Sequence, residues 1–297
     1  MDYKYPTPQL LFKAICNAIR SKTGNSDEIP HQNIPDELDS IITEEECEIA
    51  VQELSNIIYG SEVKVLDSKY ILNIAGYKFY GSGLTTVNLP KCTSIGTCAF
   101  DYCTNLITVN LPKCISIGYA AFSNCTNLIT VNLPECTNIE GDAFENCTSL
   151  TTIVLPKCTF INHYAFKNCT SLTTVNLPEC TNIGTCAFEN CTNLTTIDIP
   201  ECTSIESYTF KNCTSLTTIN LPECISIRAG AFMDCTSLTT IDLPKCATIE
   251  NFAFDHCTNL TTIILSNNQV ATLEDIYIYS AIVVFLEVQV IFTYQII

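Results

Sequence analysis

The residues most able to do chemistry in this sequence are its cysteines, which number 20 among 297 residues. Sixteen of them recur every 11 residues from Cys92 to Cys257. Cysteines can form disulfides, ligate zinc, or act as small buried apolar residues. In a secreted chain, so many cysteines would favour disulfides. Which of these roles applies depends on the elements that position the side chains.

The cysteines belong to a gapless repeat of 22 residues. Eight copies begin at Leu84, Leu106, Leu128, Leu150, Leu172, Leu194, Leu216 and Leu238, and a ninth begins at Leu260 before the pattern fails. We number the repeat positions from 1 at Leu84 and call each copy a coil. A fixed period in this range is typical of a solenoid, in which each unit buries its apolar face against its neighbours.

Each coil has the same order of local signals. Each coil begins with a predicted strand. Its side chains at positions 4 and 6 point inward, and those at positions 3 and 5 point outward. Proline at position 7 of all eight copies ends that strand, because it has no N–H to donate. A short extended piece is expected around Ile95, followed by one helical turn from Ala99. Phenylalanine at position 17 of every coil predicts a stacked core column.

This geometry favours reduced, buried thiols. Equivalent cysteines on stacked strands lie roughly 4.8 Å apart with parallel side chains, whereas a disulfide needs converging Cβ atoms about 3.8 Å apart. Positions 9 and 20 are expected to face each other across an apolar core. Disulfides and metal binding stay open as less favoured alternatives, and we predict no metal and no cofactor. Cys16, Cys47, Cys98 and Cys186 lie outside the columns and are expected to be the more accessible thiols.

Asn-Cys-Thr also recurs with the repeat, and it formally matches a glycosylation acceptor. The asparagines are Asn124, Asn146, Asn168, Asn190 and Asn212. Because their period is that of the repeat, we interpret them as turn residues.

The pattern Leu-x-x-Val-x-Leu-x-x-Cys resembles the leucine-rich repeat. More narrowly, LxxIxLPxC…I…AF..C is similar to the BspA-like (Treponema-type) leucine-rich repeats of bacterial surface proteins. The resemblance covers residues 84–259. It implies an α/β solenoid, a right-handed coil with a parallel β-sheet and one strand per turn on the concave side. It implies no reaction.

The flanks differ from the repeat. Residues 1–60 predict a short helical N-terminal module, and 61–83 a degenerate capping repeat in which Ile74 and Phe79 align with Ile95 and Phe100 at a spacing of 21. Residues 84–265 form the predicted solenoid of eight full repeats plus a ninth strand. Residues 266–297 are expected to be an irregular tail or cap. Its last residues alternate like a strand, and Glu287 argues against a membrane span.

Two further observations concern location. The N-terminus carries charges and prolines where a secretory signal needs an apolar run. The segment 14–41 resembles an N-terminal module of phage and prophage tail-type structural proteins. These resemblances imply an extracellular, cell-surface or virion-associated protein; without them, the sequence favours the cytoplasm.

Charge and motifs disfavour several functions. The net charge is −17, and no segment is basic, so nucleic acid and anionic membrane are disfavoured as partners. His31, His163 and His256 are far apart in sequence, and no nucleophile elbow, phosphate loop or metal motif is present. The sequence therefore predicts a protein that is not an enzyme.

A ligand surface is predicted where the coils differ, at positions 13–15, although a loop under no constraint could vary in the same way. The candidate residues on or beside this strip are Tyr119, Phe160, His163, Tyr164, Tyr208 and Phe252. We predict a recognition or adhesion module that binds a protein or glycan on a cell surface, as part of a phage or prophage virion. A structural scaffold without a specific ligand is the alternative. A third is a Thr/Asn array that matches a lattice such as ice.

Overall fold

The structure, a computed structural model, describes residues 64–69, 71–266 and the backbone of 289–293. The helical module predicted for residues 1–60 lies outside the described residues. Where the structure does describe the chain, every regular element is a β-strand.

Each coil contributes two strands, one of three to five residues and one of two. The longer strands are β1 (Val65–Asp67), β3 (Thr86–Asn88), β5 (Thr108–Asn110), β7 (Thr130–Asn132), β9 (Thr152–Val154), β11 (Thr174–Asn176), β13 (Thr196–Asp198), β15 (Thr218–Asn220), β17 (Thr240–Leu243) and β19 (Thr262–Ser266). The shorter strands are β2 (Asn73–Ile74), β4 (Ser94–Ile95), β6 (Ser116–Ile117), β8 (Asn138–Ile139), β10 (Phe160–Ile161), β12 (Asn182–Ile183), β14 (Ser204–Ile205), β16 (Ser226–Ile227) and β18 (Thr248–Ile249). A last strand, β20 (Gln289–Thr293), lies in the C-terminal segment.

The strands stack in parallel as a solenoid. The longer strands from β1 to β15 form an eight-stranded sheet, and all the shorter strands form a nine-stranded sheet. The family resemblance implied one strand per turn on the concave side; each full coil has, besides its longer strand, a two-residue strand that belongs to a separate sheet. The extended piece around Ile95 is β4, which pairs with β6 in parallel. Its isoleucine is buried, and the residue before it is half-buried.

The register follows the repeat. Successive strands pair residues 22 apart, as between Val87 and Val109. Between β1 and β3 the offset is 21, with Leu66 opposite Val87. This is the spacing at which the sequence aligns Ile74 with Ile95, and those two residues pair as well.

The sheet of longer strands divides near its C-terminal end. β17, β19 and β20 form a separate three-stranded sheet, in which Ile263 pairs with Val290. Nine longer strands thus lie within residues 84–266, but β15 and β17 are not paired. Within 266–297, which the repeat pattern leaves irregular, β20 continues the parallel stacking.

Positions 14–19 form a third backbone ladder, which we call the turn ladder. The amides of Cys98, Phe100 and Tyr102 donate to the carbonyls of Tyr119, Ala121 and Ser123 in the next coil, at 2.8–2.9 Å. The predicted helical turn is wrong because positions 15 and 19 have positive φ, for example 51° at Cys98 and 58° at Tyr102. Left-handed residues interrupt a helix and turn every second N–H toward the neighbouring coil.

The core is continuous from coil to coil. Side chains at positions 4 and 6 are buried, as at Val87 and Leu89, and proline follows each strand as predicted. The position-17 rings stack from Phe79 to Phe254 with centroids 5.1–5.6 Å apart and interplanar angles of 2–17°. The phenylalanine column is therefore confirmed.

The described cysteines are free and buried. Every thiol at position 20 donates to the carbonyl of a phenylalanine in the preceding coil, as Cys169 does to Phe144 at 3.2 Å. Thiols at position 9 donate to a carbonyl two residues on, as Cys92 does to Ser94. The expectation that Cys98 and Cys186 are accessible is wrong: each is 7% exposed.

Candidate functional site

The variable strip of the sequence lies on the turn ladder. Position 15 has positive φ in every coil, although only Gly230 is a glycine. The others are Tyr77, Cys98, Ala120, Asp142, Tyr164, Cys186, Tyr208 and Phe252. The left-handed conformation costs a residue with a Cβ about 1–2 kcal/mol. The ladder hydrogen bonds to both neighbouring coils hold the backbone in this conformation.

Four of the six predicted site residues are aromatic side chains exposed along this ladder. Tyr119 is 51% exposed, Tyr164 39%, Tyr208 37% and Phe252 43%. They lie in different coils, so they form a row along one edge rather than a single cluster. The Tyr119 ring lies over Gly141, and a Cβ added to Gly230 would come within 2.4 Å of the Tyr208 ring.

The other two predicted residues have different surroundings. His163 is exposed on the ladder, and its Nδ1 accepts the N–H of Thr185 at 2.9 Å, which leaves Nε2 to carry the proton of the neutral ring. Phe160 is half-buried in β10, within the sheet of shorter strands. The structure therefore separates Phe160 from the aromatic row.

Charged side chains at position 18 accompany two of the tyrosines. Lys167 Nζ lies 5.1 Å from the Tyr164 ring centroid, and Lys211 Nζ lies 5.5 Å from that of Tyr208. Both ammonium groups pair with Glu189, which lies in the coil between them. The sequence analysis did not identify these three residues, although the recurrence of Tyr-x-Phe-Lys in both coils was a usable signal.

Glu189 also affects the buried thiol beside it. Burial raises the pKa of Cys186 to about 11, and the negative charge of Glu189 contributes to the rise. The thiol is therefore protonated at neutral pH and is a poor nucleophile.

The sequence analysis also missed an aromatic group in the first two coils. Tyr77, Tyr80 and Tyr102 are 64%, 52% and 50% exposed. Their ring centroids are 6.4 Å apart for Tyr77 and Tyr80, and 5.8 Å apart for Tyr80 and Tyr102. The 21-residue alignment of the first coil was the available signal, since it puts Tyr77 at position 15.

The outer face of the longer strands is polar and regular. Asn132, Asn110 and Asn88 donate in series to the next side-chain oxygen, ending at Asp67, with distances of 2.8–2.9 Å. Val154 interrupts this row. A shallow depression of about 650 Å³ lies over strands β9 to β15. The amides of Asn88, Asn110 and Asn132 are partly engaged with one another, and exposed threonines such as Thr174 and Thr196 lie on the same face.

The Asn-Cys-Thr asparagines form a similar row at position 19. Asn146, Asn168, Asn190 and Asn212 each donate Nδ2 to the Oδ1 of the preceding coil, at 2.7–3.0 Å. Their φ values are 59–62°. These side chains are engaged in structural hydrogen bonds, which supports their interpretation as turn residues.

Two findings are limited to the part of the chain that the structure describes. No group of three or more His, Cys, Asp or Glu side chains there has an arrangement that could hold a metal ion. No helix in the same residues has the length and apolar character needed to cross a bilayer.

Parallel coils of 22 residues, a stacked core and a row of exposed aromatic residues define a leucine-rich repeat solenoid. Such proteins are generally surface or interaction modules, commonly bind protein partners and are typically non-catalytic. The model of the BspA type leucine rich repeat region matches residues 72–195 and 181–285. The chain belongs to this family. Comparison with curated proteins gives no match.

Several solved structures similar to this chain are bacterial leucine-rich repeat proteins. One from T. pallidum is 25% identical over 66% of this chain and 81% of its own, with a TM-score of 0.46. A leucine-rich cell surface protein from Faecalibacterium prausnitzii is 25% identical over 65% and 76%, with a TM-score of 0.36. One from Bacteroides ovatus is 20% identical over 69% and 79%, with a TM-score of 0.33.

Proposed function

We propose that this protein is a non-catalytic recognition module that binds a protein or a glycan on a cell surface through the aromatic row of the turn ladder. The row comprises Tyr119, Tyr164, Tyr208 and Phe252, with His163 beside Tyr164. Phe160, which is half-buried in β10, lies outside the row. The proposed setting is a phage or prophage virion, and it is supported by the sequence resemblance of residues 14–41.

The observation that carries the proposal is the backbone conformation of exposed aromatic residues. Tyr164, Tyr208 and Phe252 have φ values of 58–60° and remain 37–43% exposed. Glycine would avoid the strain of the left-handed region, and Gly230 occupies the same repeat position. Since 37–43% of each side chain stays exposed, burial offsets only part of that strain. A contact with a ligand gives them a role that folding does not.

The chemistry of the row suits macromolecular recognition. Tyrosine supplies a large, rigid contact area with a polar end, and it is enriched among the residues that dominate binding energy. Successive coils are roughly 5 Å apart, so Tyr164 and Tyr208 are separated by about 10 Å along the stack. A row of this kind fits an extended ligand that touches several coils.

The test is binding of the labelled full-length protein to a printed panel of oligosaccharides and of extracellular host proteins. The double variant Tyr164→Ala/Tyr208→Ala should lose at least about 30-fold in affinity for any ligand found, as expected for two hot-spot side chains. Both changes should be tolerated in the fold because Ala120 occupies the same repeat position with φ 49°. The matched control is Thr174→Ala/Thr196→Ala on the outer face of the longer strands.

A third variant, Gly230→Ala, displaces the Tyr208 ring without removing it, and it should weaken binding by a smaller factor. Equal losses in the tyrosine and threonine variants would contradict the proposed surface. A folded protein that binds no member of either panel would favour the alternative, a structural scaffold.

A further inference from the structure

Two lysines of this chain illustrate how the turn ladder holds a cation. Lys167 Nζ lies over the Tyr164 ring and Lys211 Nζ over the Tyr208 ring, at 5.1 and 5.5 Å from the centroids. Both pair with Glu189, at 3.1 and 3.4 Å. The ammonium group of Lys167 is thus held between a tyrosine at position 15 and a carboxylate at position 18 of the next coil, whereas the carboxylate that pairs with Lys211 lies in the preceding coil.

The first two coils have the same arrangement without the lysine. Tyr77 occupies position 15, and Asp101 occupies position 18 of the next coil, as Tyr164 and Glu189 do in the central coils. Position 18 of the first coil is Tyr80 instead of a lysine. The third ring, Tyr102, comes from position 19 of the second coil. Aromatic groups therefore stand where the central coils have their ammonium groups.

The three rings are oriented so that their faces stay open. The Tyr77 and Tyr80 rings are tilted by 38°, and the Tyr80 and Tyr102 rings by 49°. All three side chains are at least half exposed. Tilted rings with centroids about 6 Å apart do not cover each other, so one cation can contact two faces within the usual cation–π distance of about 6 Å.

The carboxylate beside the rings is Asp101. Asp101 is 8% exposed, and its Oδ1 accepts a hydrogen bond from Asn124. Burial, followed by the negative charge of Asp101, raises the pKa of Tyr80. The Tyr119 hydroxyl in the next coil bonds Asp142, whose charge helps to raise the pKa of that tyrosine to about 12. Lys78 is exposed next to Tyr77 in sequence, but the cation–π contacts among the described residues involve Tyr164 and Tyr208.

We propose that Tyr77, Tyr80 and Tyr102, together with Asp101, bind a lysine side chain of a partner protein. The carboxylate of Asp101 beside the rings favours a cation. The contacts of Lys167 and Lys211 provide the internal precedent for a primary ammonium group. This inference rests on the proposed recognition function in that it needs a protein partner, but the site can be tested with a small peptide.

The experiment is calorimetric titration of the full-length protein with N-acetyl-trilysine amide, and with the same peptide acetylated on its three Nε atoms. We expect saturable binding of the first peptide only. The variant Tyr80→Leu should weaken binding roughly 3- to 30-fold, the range of one cation–π contact. The matched variant Tyr80→Phe keeps the aromatic face and should stay within about 2-fold of the wild type.

The pair of Tyr80 variants separates the proposed site from general attraction of a cationic peptide to a chain of net charge −17. Neither change alters the charge, so unspecific binding would be equal in Tyr80→Leu and wild type, and that result would overturn the proposal. Equal binding of the acetylated peptide would overturn it too. So would Tyr80-dependent binding of a neutral oligosaccharide in place of trilysine. Melting curves check that each variant folds.

The test is independent of the proposed function. Thr174→Ala/Thr196→Ala should leave trilysine binding unchanged, because those side chains lie on β11 and β13, in other coils than Tyr77, Tyr80 and Tyr102. A panel screen without a ligand would contradict the recognition function, while the peptide titration would still decide the lysine site.

Discussion

At the scale of single residues, the cysteine columns combine two properties that few side chains share. The thiols fill a tightly stacked core, and each donates a hydrogen bond to a backbone carbonyl, as Cys147 does to Phe122 at 3.1 Å. Alanine would lose the donor, and a larger apolar residue would lose it and add volume. In the first coil Ser82 occupies position 20, and its Oγ lies 3.2 Å from Cys103 Sγ. Ser82 therefore places a small side chain with a hydrogen-bonding group at the end of the cysteine column.

The thiols predict unfolding at alkaline pH. Burial, followed by the charge of a neighbouring thiol in the column, raises the pKa of Cys136 and Cys158 to about 12, from an ordinary value of 9.0. Because the folded pKa is raised, each thiol contributes stability that is fully present below pH 9. That stability is lost as the pH rises toward 12, since the unfolded chain releases protons that the native chain keeps. In this window, each thiol lowers the free energy of unfolding by about 1.4 kcal/mol per pH unit.

The contributions of all the column thiols have the same sign, so we expect cooperative unfolding between about pH 9 and 10. Circular dichroism and the ultraviolet absorbance of thiolate should change together in an alkaline titration. A rise in thiolate absorbance near pH 9 that exceeds the contribution of Cys16 and Cys47 while the fold is intact would contradict the buried columns.

The phenylalanine column predicts a second residue-scale effect. Phe166 is fully buried and stacks 5.3 Å from both Phe144 and Phe188. Phe166→Ala should lower the free energy of unfolding by about 3–5 kcal/mol. Thr174→Ala, on the exposed outer face of β11, should change it by less than about 0.5 kcal/mol. Urea unfolding measures both, and the reverse ranking would show that the faces are reversed.

At the scale of elements, the turn ladder takes the place of the predicted helical turn. Its left-handed residues at positions 15 and 19 direct the amides of positions 15, 17 and 19 to the next coil. Asparagine suits position 19, because it tolerates this conformation and its side chains form their own row. Position 15 has no such preference, so it can carry residues chosen for contact with a ligand.

This difference can be measured at Tyr164, where φ is 60°. Tyr164→Gly should be more stable than Tyr164→Ala by about 1 kcal/mol, because glycine has no penalty in the left-handed region. Both variants lose the ring and its contact with Lys167, so the comparison isolates the backbone. Chemical denaturation of the two proteins provides the value, and an alanine variant of equal or greater stability would show that the ladder imposes no strain.

At the scale of the whole molecule, the break between β15 and β17 predicts uneven stability. A solenoid is held together by contacts between neighbouring coils. A missing set of strand hydrogen bonds therefore weakens the cooperativity of unfolding between the two coils at that point. β13 is paired with a strand on each side, whereas β17 is paired only with β19.

We therefore expect the coils from β17 onward to open before the eight-stranded sheet. In hydrogen exchange measured at increasing urea concentrations, the amides of Thr240–Leu243 should show a lower free energy of opening than those of Thr196–Asp198. A single opening energy for both segments would mean that the nine-stranded sheet of shorter strands keeps the solenoid fully cooperative.

Most of the solenoid could be predicted from the sequence because the same residue types recur at a fixed spacing of 22. Proline at position 7, the inward residues at positions 4 and 6 and the phenylalanine at position 17 each have one structural meaning, and each prediction agrees with the structure. The second strand per coil was visible only as an extended piece around Ile95. The accessibility of Cys98 and Cys186 was misjudged because burial at position 15 depends on neighbouring coils. The row of Tyr119, Tyr164, Tyr208 and Phe252 could be proposed from variation, while Tyr80 and Tyr102 lie outside positions 13–15 and could not.

The sequence by itself determined the repeat length, the inward residues and the parallel stacking, because these follow from local periodicity and side-chain polarity. Only the tertiary structure determined the contacts between neighbouring coils. The backbone hydrogen bonds of the turn ladder, the bonds of the position-20 thiols to carbonyls and the pairing of Lys167 and Lys211 with Glu189 all join residues about 22 apart. No local signal encodes such contacts, since they form only when one coil is stacked on the next.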